Sequence, residues 1–79
     1  MKTYRTMKMR HLKSSNILSV GYDDKAAFLA VQFKRKEGSV TYTYPGMPRR
    51  VYEGLLDADS PGKFFNEHVR GAPFTKQED

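Results

Sequence analysis

Three pairs of residues in this 79-residue chain are of types that catalysis or metal binding uses: Ser14-Ser15, Asp23-Asp24, and the histidines His11 and His68. A serine nucleophile needs a general base within hydrogen-bond reach and a third group to orient that base. Neither a histidine nor a carboxylate stands in a recognisable relation to Ser14 or Ser15, so the pair reads as local backbone hydrogen bonding. Asp23-Asp24 falls at a turn, where aspartates cap the backbone, and a metal would need further ligands that this stretch lacks. His11 lies near one end of the chain and His68 near the other, so His68 reads as a structural or surface histidine. The absence of cysteine removes both a disulfide framework and a thiolate zinc site. The expectation is therefore a protein that is not an enzyme and calls for no cofactor and no metal.

The charges say more. The formal net charge is +5 at pH 7, and its excess sits in residues 1–13, where Lys2, Arg5, Lys8, Arg10 and Lys13 stand with no acid among them. Residues 14–75 hold eight basic and seven acidic side chains and are nearly neutral. Their bases are concentrated at Lys34-Arg35-Lys36 and Arg49-Arg50, with Lys63 and Arg70 further on. Cations in such an arm and hairpin suit phosphate contacts, and Tyr4 or an exposed tyrosine of the domain suits stacking on an unpaired base. The plainer alternatives are a solubilising tail and a solvated hairpin tip. Arg49 and Arg50 fall in a first helical turn, the unfavourable end of the helix dipole, which hints at use in a contact.

These side chains need a scaffold, and the hydrophobic pattern supplies one. Ile17 to Tyr22 alternates with Leu18, Val20 and Tyr22 on one face and Ile17, Ser19 and Gly21 on the other. Ala27 to Phe33 follows as a central strand, with Leu29, Val31 and Phe33 opposed to Phe28, Ala30 and Gln32. Gly38 closes the next hairpin in a left-handed conformation. Val40, Tyr42 and Tyr44 share one face of a third strand, where both tyrosines read either as core or as stacking platforms. Met7, Lys8 and Met9 form either an edge strand or part of a flexible arm.

Pro45-Gly46-Met47-Pro48 ends the sheet pattern, and Pro48 suits the first turn of a helix. In that helix Val51 pairs with Leu55, Tyr52 with Leu56, and Gly54 marks close approach to another element. Ser60-Pro61 starts a second helix, with Ser60 as its cap, and Gly71 and Pro73 stop it. The expected fold is α+β, a three-stranded antiparallel meander followed by two short helices packed on one face. Residues 1–13 form the basic arm, residues 14–74 the domain, and residues 75–79 a polar, frayed tail. The longest apolar run, Ala26 to Val31, is six residues, against the roughly 20 needed to span a bilayer. No apolar segment follows the basic N-terminus, so a cytoplasmic location is expected and no membrane partner.

Ser14-Ser15-Asn16-Ile17, Gly21-Tyr22-Asp23, Phe33, Gly38, Tyr42-Thr43-Tyr44, Pro48, Val51-Tyr52, Leu55-Leu56, Ala58, Ser60, Gly62-Lys63-Phe64-Phe65-Asn66 and Val69-Arg70-Gly71 form an ordered set. Over about residues 14 to 74 that set resembles the KTSC domain, a small module named for the C-terminus of some lysyl-tRNA synthetases and also found free-standing in bacteria and phages. The resemblance assigns family-motif positions to Tyr42, Tyr44, Gly62, Phe65 and Asn66. It implies RNA binding through the synthetase context. Pro61 and the long charged hairpin Lys34 to Glu37 depart from the family pattern. The expected function is a non-catalytic binding module for RNA before DNA, acting through the basic arm and a basic face. The alternative is a protein-interaction module docking on a larger enzyme or assembly.

Overall fold

The structure is a computed structural model and describes residues 7–78. Five antiparallel strands form one sheet whose spatial order is their sequence order: β1 (Arg10–His11), β2 (Ile17–Asp23), β3 (Phe28–Lys34), β4 (Ser39–Pro45) and β5 (Thr75–Glu78). Helices α1 (Arg49–Asp57) and α2 (Pro61–His68) lie between β4 and β5 in the chain. The α+β class and the central meander agree with the sequence pattern, whereas the strand count differs. β1 falls in the stretch expected to be an arm, and β5 falls in the stretch expected to be frayed. Neither carries the alternation that marks a half-buried strand, because each is an edge held chiefly by backbone pairing. Arg10 and His11 pair with Val20 and Ser19, and Thr75 to Glu78 pair with Thr43 to Val40.

The three central strands share a register that builds the core. Val20 stands beside Val31, which in turn stands beside Tyr42, and Leu29 stands between Tyr22 and Tyr44. The helices cover this face, contributing Tyr52 and Leu55 from α1 and Val69 from the end of α2. One part of the expected pattern is reversed at the start of β2. A register irregularity between Ile17 and Ser19 sets Ile17 opposite Phe33, so Ile17 enters the core with Val20 while Leu18 is only half-buried. A bulge changes the two-residue period locally, and the sequence carries no mark of it. The reverse face is small and polar. Ser19, Ala30, Thr41 and Thr43 are buried there, and Ser19 Oγ donates to Gln32 Oε1 at 2.6 Å.

The turns follow their residues. Asp23 Oδ1 accepts from the amides of Lys25 and Ala26, and Gly38 turns the next hairpin at φ +83°. Pro48 is the residue before α1 rather than within its first turn, with extended backbone at φ −70°, ψ 147°. Ser60 caps α2, its Oγ accepting from the Lys63 amide at 3.3 Å, and Pro61 is the first helical residue. Tyr22 Oη donates to the Met47 carbonyl at 2.5 Å and ties the sheet to the corner before α1.

Gly54 is where the helices touch. A Cβ there would run into the Phe64 ring of α2. Alanine adds about 1 kcal/mol of helix propensity, but overpacking typically costs about 1–3 kcal/mol. Gly54→Ala is therefore expected to destabilise the fold by about 1 kcal/mol net, read as a lower urea midpoint. An unchanged or higher midpoint would show that Phe64 yields freely.

Candidate functional site

Two concavities flank α2, and neighbouring residues of that helix line them: Phe65 faces one and Asn66 the other. The first, of about 260 Å³, is walled by rings. It forms where β4 and β5 extend beyond the cover of the helices. Phe33 packs edge-on against Phe65, with centroids 5.0 Å apart, and against Tyr42 at 5.5 Å. Tyr44 adds a further edge contact to Phe65. Phe74 completes the set at 4.9 Å from Tyr42 and 6.0 Å from Tyr44. The chain reaches this position through Gly71 at φ +95° and a backbone bond from the Ala72 amide to the Val69 carbonyl. Phe74 remains 53% exposed, the one large hydrophobic left open to solvent among the described residues.

Charge collects at the rim of this groove. Arg70 lines it, and Lys76 stands opposite Tyr42 in the β4–β5 register. Arg35 and Lys76 share one carboxylate, Glu78, at 2.6 and 3.7 Å. The hydrogen bond from Arg35 holds the Glu78 carboxyl below its ordinary range. All three side chains are solvent-exposed, so these pairs are weak and yield to a competing anion.

The second concavity, of about 430 Å³, is polar. The loop Lys13 to Asn16 forms one wall, and Asp59, Ser60, Gly62, Lys63 and Asn66 form the other. The loop is fixed at both ends. Ser14 Oγ accepts from the amides of Asn16 and Ile17, and the Lys34 amide donates to the Asn16 carbonyl. Lys34 Nζ also donates to the Ser14 carbonyl at 2.8 Å.

The cations expected to meet phosphate are thus divided. Arg70 lines the groove, Arg35 is paired with Glu78 of β5, and Lys13 and Lys63 line the polar cleft. Lys34 is bound to the cleft's own loop. Arg49 is held at the start of α1 by Asp24 at 2.6 Å and Glu53 at 3.1 Å, with its guanidinium 5.5 Å from the Tyr52 centroid. Its sequence neighbour Arg50 is exposed there, and Lys36 is exposed in the β3–β4 turn. Lys8 lines a shallow depression with Tyr22 and Asp23, and Arg10 lies on β1. Of the cations expected on a basic face, Arg49 is paired with Asp24 and Glu53 and Arg35 with Glu78, whereas Arg50, Lys63 and Arg70 are in no ion pair among the described residues. Lys2, Tyr4 and Arg5 lie outside the described residues.

Of the family-motif positions, Tyr42, Tyr44 and Phe65 line the groove, and Gly62 and Asn66 line the cleft. Phe74 and Lys76 escaped the sequence reading. A lone aromatic just beyond a helix stop, in an otherwise polar stretch, was the available signal for Phe74. Among the described residues, no three His, Asp or Glu side chains gather as a metal site would require.

The sequence model of the KTSC domain matches residues 13–74. An uncharacterized protein of Stutzerimonas stutzeri is 39% identical over 61 residues, covering 77% of this chain and 82% of that protein. A protein of Tsukamurella paurometabola is 39% identical over 62 residues, covering 78% of this chain and 88% of its own. The crystal structure of a KTSC domain protein from Yersinia pestis superposes with a TM-score of 0.76 at 36% identity, covering 94% of this chain and 99% of that one.

Tyr44 gives the groove a titratable marker. It is 3% exposed, and burial, with a smaller contribution from neighbouring Tyr42, pushes its phenol up to about 12. The unfolded chain releases this proton near pH 10. Between about pH 10 and 12 the folded state therefore binds more protons, and the stability that Tyr44 contributes falls as pH rises through that window. Urea midpoints across that range should fall less steeply in Tyr44→Phe than in the parent chain; equal slopes would show that the phenol titrates normally.

Proposed function

This chain belongs to the KTSC domain family, and from that premise we propose that it is a non-catalytic binding module for single-stranded nucleic acid, RNA before DNA. Phe74 is the observation that carries the reading. A ring 53% exposed, at the mouth of a groove walled by other rings and rimmed by Arg70, offers one face to an unpaired base. Stacking of this kind contributes about 1–3 kcal/mol per base and tolerates any base, since every base has a π-face. Tyr44 is too deeply buried for the role, and Tyr42 contacts the Phe74 ring at a tilt, with centroids 4.9 Å apart. Arg70, Lys36 and Lys63, free of ion pairs among the described residues, are available to phosphates. RNA is favoured because the adjoining polar cleft presents amides and hydroxyls to a 2′-hydroxyl.

One observation favours a second reading. β5 is an edge of the sheet, so an extended peptide could add to it and set alternate side chains into the groove.

Fluorescence anisotropy with labelled single-stranded RNA, single-stranded DNA and duplex, at two salt concentrations, tests the first reading. Single strands should bind ahead of duplex. Phe74→Ala should weaken them by roughly tenfold, and Arg70→Gln should flatten the log-log salt slope by about 0.7. Circular dichroism checks that both variants keep the fold. Duplex bound as well as single strands, or unaltered affinity in Phe74→Ala, would remove the stacking mechanism and turn attention to peptide addition at β5.

A further inference from the structure

The polar cleft on the other side of α2 lies outside the aromatic groove, and its chemistry is one-sided. Lys13 and Lys63 line it, and neither is in an ion pair among the described residues. Asn16 is engaged at its oxygen, which accepts from Ser15 Oγ at 3.4 Å, and its Nδ2 remains a donor. Asn66 adds a second side-chain amide, and Asp59 is the single carboxylate of the lining.

Gly62 is an independent sign that this space is kept open. Its φ lies outside the left-handed region, and a Cβ built there would meet only Asn16 Nδ2, at 3.8 Å, an ordinary contact distance. Neither backbone conformation nor packing therefore asks for glycine, although glycine weakens a helix relative to alanine. Gly54 and Gly71 differ, since Phe64 accounts for the first and φ +95° for the second. Gly62 lines the cleft without a side chain.

We propose that this cleft binds a phosphate monoester. Its oxygens lie against the Lys13 and Lys63 ammonium groups and the Asn16 and Asn66 amides, and Asp59 accepts from a hydroxyl of the attached sugar. The volume of about 430 Å³ falls within the range of roughly 300–1,000 Å³ usual for small-ligand sites. The monoester comes from a free nucleotide or from the 5′ end of a strand. The inference rests on the nucleic-acid reading for the second source only.

Two arms test it on the full chain at physiological salt. In the first, a nucleoside 5′-monophosphate and the unphosphorylated nucleoside are titrated while the amide resonances of Asn16, Gly62 and Asn66 are followed by NMR. In the second, single-stranded RNA carrying a 5′-phosphate or a 5′-hydroxyl is compared by anisotropy. The monophosphate should move those resonances and the nucleoside should not, or the 5′-phosphate should tighten binding about tenfold, the scale of one charge-assisted hydrogen-bond pair. A response in the first arm alone identifies a free nucleotide, and in the second alone a strand end. Gly62→Ala should abolish the response while raising the melting temperature by about 4 °C, as alanine in a helix does.

Silence in both arms, or a response that survives Gly62→Ala, overturns the inference. Monophosphate shifts in a chain that binds no oligonucleotide would sink the nucleic-acid reading and leave the cleft standing. Oligonucleotide binding indifferent to the 5′ group, with no monophosphate shift, would do the reverse.

Discussion

Two helices of nine and eight residues must roof a five-stranded sheet. At 1.5 Å per residue they are only about 12–14 Å long, whereas five strands at about 4.8 Å spacing span roughly 19 Å. The helices therefore cannot cover the whole face, and the uncovered part lies over β4 and β5. Small side chains there would leave β4's inner face bare to water. Large ones fill the space by themselves: Phe33, Tyr42, Tyr44 and Phe65 meet edge to face, the arrangement that aromatic quadrupoles prefer, and Phe74 leans against Tyr42 and Tyr44 at a tilt. The groove is the remainder of a covering problem.

The opposite end of the sheet solves the same problem by locking. Tyr22 stacks on Tyr52 with centroids 5.7 Å apart, Arg49 lies over both rings, and the Tyr22 hydroxyl anchors the corner at Met47. Gly54 then lets Phe64 close against α1. This end has rings, an arginine and acids, as the groove does, yet its cation is held by two carboxylates. Its arginine is paired at the surface, whereas Arg70 is in no ion pair among the described residues and is exposed.

What could be read from the residues divides along physical lines. Helix starts and stops were legible because Ser60, Pro61 and Gly71 act on their own neighbours through local sterics and hydrogen bonds. The central strands were legible because burial imposes alternation. The β2 bulge was not, since a one-residue slip leaves composition unchanged. β1 and β5 were not, because Arg10-His11 and Thr75 to Glu78 are held by backbone groups that every sequence has. At the site, the aromatic and motif residues were visible as types, while their sorting into a groove and a cleft depended on which side of α2 each falls. The pairing of the charges was not legible either. Nothing near Arg35 in the sequence announces Glu78, which reaches it only when β5 pairs with β4.

A sheet laid down in chain order carries a further consequence. β2, β3 and β4 are joined by four-residue connections, so each pairing closes a short loop and forfeits little chain entropy. Contacts of low sequence separation favour rapid folding. Of the strands, only β5 must wait for a long closure, across both helices, before it can find β4. The groove therefore depends on a closure of 32 to 38 residues between β4 and β5, and the polar cleft on a longer one still, since the loop before β2 must meet the start of α2, with Asn16 and Gly62 separated by 46 positions.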